Sequence, residues 1–332
     1  MLFGAWASTC QPGPGTVRPI IVAVSGGASR AAIWGERILH EAEQDTGGKG
    51  PRVFAVSSVS SGSLGVAAYM PALAGMEDSK RCGDDAARQA QMHLLQNHEL
   101  SEDALGPLLG GALLVDIPRA LFTPLPQIIR GLSGRDPRGG DRAEALERSF
   151  EGLWRGVTVT NDQKKPCGLD RPNLSLFYEG GSMGPAMPLW IANGTDLATG
   201  NRLVTVPFDP HKAWPLSAAE DALAALGADV PLSTAINNTA RFPFLEPAGE
   251  VIDGGYFDNE GLQTALDLAD WLHRDGPSFV NGRAVDPIIV QATGDGDVLP
   301  SENVVRCGSR KDDHRKSPRR GDYCNCWRRC LG

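Results

Sequence analysis

Val53-Phe-Ala-Val-Ser-Ser-Val-Ser60-Ser-Gly-Ser-Leu-Gly65 decides how this chain is read. The stretch opens apolar and strand-like, turns through small residues, and enters Val66-Ala-Ala-Tyr-Met-Pro-Ala-Leu-Ala, which reads as a buried helix. A serine between a strand and a helix, flanked by small residues, is the pattern of a nucleophile elbow. The turn is tight, so the positions two before and two after the nucleophile must be small. Here they are Ser58 and Gly62, where the usual pattern has glycine at both. An elbow aims the next backbone N–H, that of Ser61, and the helix N-terminus at a developing oxyanion. Ser63, with Ser61 and Gly65, fits the same template in a second register. The apolar run ends near Ser57, which puts Ser60 at the turn and Ser63 on the first helical turn, so Ser60 is preferred. The plainer alternative is a Ser/Gly-rich loop joining a strand to a helix.

Upstream, Pro19-Ile-Ile-Val-Ala-Val-Ser25 is a continuous apolar run, as expected of a strand buried on both faces of a parallel sheet. Ser25-Gly26-Gly27-Ala28-Ser29-Arg30 breaks it, and a helix is expected over 31–43. Strand, loop, helix, strand, loop, helix is the order of a βαβ unit in an α/β fold with a parallel sheet. Downstream, strands are expected at Pro188–Asn193, Arg202–Pro207, Val251–Asp253 and Asp286–Ala292. Helices are expected over 218–226, with Ser217 and Glu220 as a capping box, over 231–240, and over 262–274.

Between them, residues 76–170 lose the strand pattern and read as a helical insertion beside the sheet. Its clearest element is Asp141–Trp154, with Ala145, Leu146, Phe150, Leu153 and Trp154 toward one side. The insertion is either a lid over a site or a packed helical layer, and the second suits most of its apolar residues.

The chain has 332 residues, enough for a large core, with 41% hydrophobic and 22% charged residues, as in soluble globular proteins. A net charge of −8 argues against a nucleic-acid partner. Seven cysteines form no disulfide framework, and no apolar run reaches the ~18 residues of a membrane span. Residues 1–18 read as a linker and the stump of a longer leader. Residues 301–332 form a basic tail ending Cys324-Asn-Cys-Trp-Arg-Arg-Cys330. A metal knob built from Cys307, His314, Cys324, Cys326 and Cys330 lacks standard zinc spacing, and a disordered tail is the preferred reading. The domain proper is expected over 19–300.

Three small-residue turns each follow an apolar strand: Ser25–Ala28, Ser58–Gly62 and Asp253-Gly254-Gly255. The C-terminal ends of parallel strands share one sheet edge, where sites assemble. Ser60 is then the nucleophile and Asp253 its base, with Gly254 and Gly255 letting the carboxylate come close. The N–H groups of Gly26, Gly27 and Ala28 are oxyanion donors, and Arg30 fixes their loop or attracts an anionic head group. Gly26-Gly27-Ala28-Ser29-Arg30 fits neither a dinucleotide fingerprint nor a phosphate loop. None of the histidines at 40, 93, 98, 211, 273 and 314 sits where a strand meets a small-residue turn.

In this order and combination, Gly26-Gly27-Ala28-Ser29-Arg30, Ser58-Val59-Ser60-Ser61-Gly62 and Asp253-Gly254-Gly255 resemble the motifs of the patatin-like phospholipase family. Val59-Ser-Ser-Gly-Ser-Leu-Gly65 and Asp253-Gly-Gly-Tyr-Phe-Asp-Asn-Glu-Gly261 are similar to bacterial members. The resemblance covers roughly residues 19–295. It departs at Ala28, Ala31 and Ser58, where the family has glycine. It implies a three-layer α/β/α sandwich around a mostly parallel sheet, and a Ser–Asp dyad that hydrolyses lipid acyl esters through an acyl-serine intermediate. It implies no metal or other cofactor, a lipid or membrane-surface substrate, and a soluble or peripheral enzyme, here a fragment of a bacterial membrane protein. The alternative is an inactive relative that binds lipid or a protein partner. A nucleotide-binding α/β protein is a third, weaker reading.

Overall fold

The computed structural model describes residues 11, 13–27, 53–77, 142–157, 168–170, 188–207, 216, 219–241 and 250–293, with short pieces at 3–10, 31–39, 178–179 and 182–183. The elements in chain order are β1 (Ile20–Val24), β2 (Val53–Val59), α1 (Ser61–Glu77), α2 (Arg142–Val157), the two-residue strands β3 (Tyr178–Glu179) and β4 (Ser182–Met183), β5 (Leu189–Asp196) and β6 (Arg202–Thr205). Then follow β7 (Glu220–Asp221), α3 (Ala222–Leu226), α4 (Leu232–Ala240), β8 (Val251–Asp253), α5 (Gly255–Asp258), α6 (Leu262–Asp275), a 3₁₀ turn at Gly276–Phe279 and β9 (Ile288–Ala292).

The main sheet runs β7-β6-β5-β2-β1-β9, with β8 added to β5. β1 is parallel to β2 and β9, and β2 is parallel to β5, while β6 and β8 run antiparallel to β5. This is a mixed, mostly parallel sheet with helices, an α/β fold. The apolar run of β1 is buried along its whole length because both of its faces are covered. Ile20, Val22 and Val24 join one cluster with Val66 and Met70 of α1, Leu146 and Phe150 of α2, and Leu232 and Ile236 of α4. Ile21 and Ala23 join the opposite cluster with Ile191 of β5 and Ala265, Leu268 and Leu272 of α6. Each Val, Leu, Ile, Phe or Met side chain among them contributes about 1.5–3 kcal/mol when fully buried. Among the described residues, no helix is long and apolar enough to cross a membrane.

Helix α2 belongs to the expected insertion, and its described residues pack against the body rather than standing off it. Ala143, Leu146 and Phe150 face the core, while Ala145 is only half-buried. Glu147 accepts hydrogen bonds from Thr234 and Asn237, and Glu151 accepts one from Ser233, which ties α2 to α4. The leucine- and proline-rich pieces at 78–141 and the tail at 294–332 lie outside the described residues.

Four expectations need correction. Helix α3 begins at Ala222, not at 218, because Glu220–Asp221 pairs with β6; Asp221, not Ser217, caps it, accepting from Leu223 N–H. Strand β2 runs on to Val59, two residues past Ser57, because the Ser57 and Ser58 hydroxyls find buried partners inside the fold. Strand β5 runs on to Asp196, because Gly194–Asp196 pair on both edges, with β6 and with β8. Strand β8 is antiparallel to its neighbour, so Asp253 does not reach the site as the end of a parallel strand.

Candidate active site

The register of β5 explains how two residues so far apart in sequence meet. Val59, the last residue of β2, pairs with Asn193; Asp253, the last of β8, pairs with Gly194. The other edge of β5 is taken by β6 at the same level. Strands β2 and β8 therefore occupy one edge of β5 end to end, pointing at each other. Their C-terminal residues sit against adjacent positions of the same strand, and the elbow leaves from that junction.

Ser60 has φ 52°, and the only other described non-glycine residue with positive φ is Asn281. A serine in this region costs on the order of 1–3 kcal/mol and persists only where the surroundings hold it. Its N–H donates to Thr239 O at 3.1 Å, and its carbonyl accepts from Ser63 N–H at 2.9 Å. Of the two serines that fit the template, Ser60 carries the left-handed backbone at the strand–helix junction. Ser63 lies inside α1, wholly buried, with its hydroxyl bonded to that of Ser58 at 2.9 Å. Trp190 Nε1 also donates to the Ser58 hydroxyl, at 2.8 Å. The serine in place of the elbow's first glycine is thus a fully partnered buried group. Gly62 must lack a side chain, since a Cβ there would stand 2.5 Å from Ser25 O.

The Asp253 carboxylate is held from behind. Its Oδ1 accepts from Gly255 N–H at 2.6 Å, its N–H donates to Arg241 O at 2.7 Å, and its carbonyl accepts from Thr195 Oγ1 at 3.0 Å. Burial pushes its pKa above the ordinary carboxylate range, while the Ser60 hydroxyl and Gly255 N–H, which favour the ionised form, hold it down. The Ser60 hydroxyl stands beside this carboxylate, yet Oδ2 is buried without a closed hydrogen bond. In a resting site such bonds are often long and tighten when substrate binds. Gly254 is required by contact: a Cβ there would lie 2.1 Å from Asn193 O.

One carbonyl joins the two arms. Thr239 lies in the last turn of α4, where helix carbonyls have no partner within the helix. It accepts from Ser60 N–H at 3.1 Å and from Gly254 N–H at 3.0 Å. The two nitrogens are therefore roughly 6 Å or less apart.

The Gly-rich loop lies against the same place. A Cβ on Gly26 would meet Asn259 Oδ1 at 2.6 Å and Ser60 Cβ at 3.1 Å. Gly26 N–H, expected as an oxyanion donor, is already committed to Asn259 O at 2.9 Å, so Gly26 anchors the loop instead. Gly27 has φ 154°, a conformation suited to glycine, and its N–H makes no bond among the described residues. Ser61 opens α1, so its N–H has no intrahelical acceptor. The N–H groups of Gly27 and Ser61 thus have no acceptor among the described residues; Ala28 and Arg30 lie outside them. Among the described residues, no group of acidic, histidine or cysteine side chains is disposed to hold a metal ion. The sole described histidine, His273, bonds through Nδ1 to Val285 O.

The chain matches no family model and no curated protein.

Three residues of the site were not singled out by sequence: Thr239, Asn259 and Asn193. Asn193 had a signal, being a polar residue ending an apolar strand, and it is buried here with its amide on Ser57 and Ser58. Thr239 acts through its backbone carbonyl, which no residue type announces. Asn259 lies in the quoted segment after Asp253, but its role depends on the Gly26 loop folding back onto it.

Proposed function

We propose that this chain is a serine hydrolase acting on lipid acyl esters, of the patatin-like kind, with a Ser60–Asp253 dyad. The observation that carries the reading is a serine at φ 52° between strand and helix, beside the buried Asp253 carboxylate, with the N–H groups of Ser60 and of Gly254, the residue after Asp253, both on the Thr239 carbonyl. The apolar clusters on both sheet faces support the three-layer arrangement of that family.

Asp253 takes the Ser60 proton as Oγ attacks the acyl carbonyl. The oxyanion is received by the N–H groups of Gly27 and Ser61, at the positive end of α1, a contribution worth about 3 kcal/mol per donor. Asp253 then protonates the departing alkoxide, leaving acyl-Ser60. Water, deprotonated by the same carboxylate, releases the fatty acid and returns the proton to Ser60. The protein supplies the nucleophile, the base and the donors, and no step calls for a cofactor. Tyr256 and Phe257, 59% and 44% exposed on the turn after Asp253, offer apolar surface to a lipid substrate.

The purified chain is expected to hydrolyse a short p-nitrophenyl ester and to release fatty acid from phospholipid micelles. Because the base must be ionised and burial raises its pKa, kcat/KM should rise with pH through a midpoint above the ~3.9 of an ordinary aspartate. A folded protein with no turnover of either substrate between about pH 5 and 9 overturns the proposal.

A further inference from the structure

Beneath the site, buried polar side chains run from an ion pair between β6 and α6 to the strand that carries the nucleophile. Arg202 Nη2 donates to Asp267 Oδ2 at 2.6 Å, and Nη1 donates to Thr264 Oγ1 at 2.8 Å. Thr264 Oγ1 bonds to Asn193 Oδ1 at 2.6 Å. Asn193 Nδ2 reaches Ser57 Oγ and Ser58 O, each at 2.9 Å, and Ser57 Oγ reaches Gly261 O at 2.7 Å. Arg202, Thr264, Asn193 and Ser57 are all buried, so water does not reset these bonds.

The direction of every bond follows from the first. A guanidinium has donors and no acceptor, so the Thr264 oxygen must accept from Arg202. The single Thr264 proton then goes to Asn193, which must turn its oxygen toward Thr264. The Asn193 NH₂ is left facing β2, where it donates to Ser58 O and Ser57 Oγ. Ser57, already an acceptor, sends its own proton to Gly261 O. A rotated Asn193 amide would place its oxygen against the Ser58 carbonyl and release the strand two residues before Ser60.

The far end of the chain also belongs to the site. Gly261 closes the segment that begins at Asp253 and includes Asn259, whose carbonyl holds Gly26 N–H. The Asn193 backbone carbonyl abuts Gly254. Phe257, on the turn after the base, lies over the Arg202 guanidinium at 5.7 Å. The elbow, the base turn and the Gly26 loop thus rest on one polar chain whose polarity starts at Arg202.

We propose that Arg202 is a positioning residue for the Ser60–Asp253 dyad, acting through Thr264 and Asn193. The inference rests on the hydrolase reading above. Loss of the lock should lower the reactivity of Ser60 while leaving substrate contacts intact, a fall in kcat without a rise in KM.

The test uses the full chain, a short p-nitrophenyl ester and a fluorophosphonate probe. Thr264→Val keeps the shape and removes the hydroxyl; it should cut kcat and the Ser60 labelling rate by about tenfold to a hundredfold, with KM near that of the wild type. Thr264→Ser restores the hydroxyl and should return both rates to within about twofold of wild type. Arg202→Met combined with Asp267→Leu removes both charges together, which buried pairs commonly tolerate, and should slow labelling as Thr264→Val does. Wild-type rates in a folded Thr264→Val protein or in the double variant overturn this inference alone. So does a Thr264→Ser protein as slow as Thr264→Val. A wild-type protein unlabelled at Ser60 overturns the hydrolase reading itself.

Discussion

Asp253→Asn is expected to abolish ester turnover and, at neutral pH, to raise the melting temperature. The two effects have one origin. Burial raises the Asp253 pKa, so the folded protein holds this proton more tightly than the unfolded chain does. The stabilising contribution is fully present below the unfolded pKa and is lost as pH rises through the folded pKa. Above that point a charged carboxylate sits in a dry site, and folding bears its desolvation. Asparagine keeps an oxygen for Gly255 N–H and places its NH₂ toward the Ser60 hydroxyl, without the charge. The melting temperatures of the two proteins should coincide near pH 3.5–4 and diverge as pH rises, the variant being the more stable. Turnover should fall by a factor on the order of 10⁴ or more, and Ser60→Ala should do the same, since members of a nucleophile–base pair fail together. Equal melting temperatures at pH 8 contradict the buried, ionised base. Turnover within about tenfold of wild type in either variant contradicts the dyad.

The second large effect concerns folding. Gly65→Ala should destabilise the protein by about 3 kcal/mol or more, read as a lowered midpoint in urea. A Cβ at Gly65 would lie 1.9 Å from Ala32 O and 2.8 Å from Ala32 C. Both are backbone atoms, so no side chain turns aside, and α1 must move away from the helical residues around Ala32. The same movement shifts Gly62, whose Cα faces Ser25 O, and with it the wall between the elbow and the Gly26 loop. Gly152→Ala, in α2 with open space around the new methyl, is the control and should be neutral or stabilising by up to about 1 kcal/mol. A Gly65→Ala protein as stable as wild type contradicts the close approach of these two helices.

Much of this arrangement is legible in residues alone, and the limits are physical. Ile20–Val24 and Leu189–Ile191 carry apolar runs too short for helices, and they lie in buried strands of the sheet. The spacing of Thr264, Ala265, Leu268, Trp271 and Leu272 marks one face of α6, and those residues are its buried ones. The strand–small-residue–helix pattern marks Ser60, and its left-handed backbone bears the mark. Chain direction is another matter. Nothing in Val251-Ile252-Asp253 says that it runs against β5, because three apolar-to-acidic residues suit either sense; the answer lies in pairing with Gly194–Asp196. Gly26 illustrates a second limit. Its type fits an oxyanion loop, yet whether its N–H is free depends on a carbonyl 233 residues away at Asn259. The Thr239 carbonyl and the ordered donors of Asn193 and Thr264 are likewise products of tertiary packing, invisible to local pattern.

The most direct measurement is mass-spectrometric mapping of the residue modified by a fluorophosphonate in the folded wild-type chain. A single modified peptide carrying the probe on Ser60 is expected, lost in Ser60→Ala and slowed in Asp253→Asn. Modification at Ser63 or at another serine, or labelling that persists undiminished in Ser60→Ala, would contradict it.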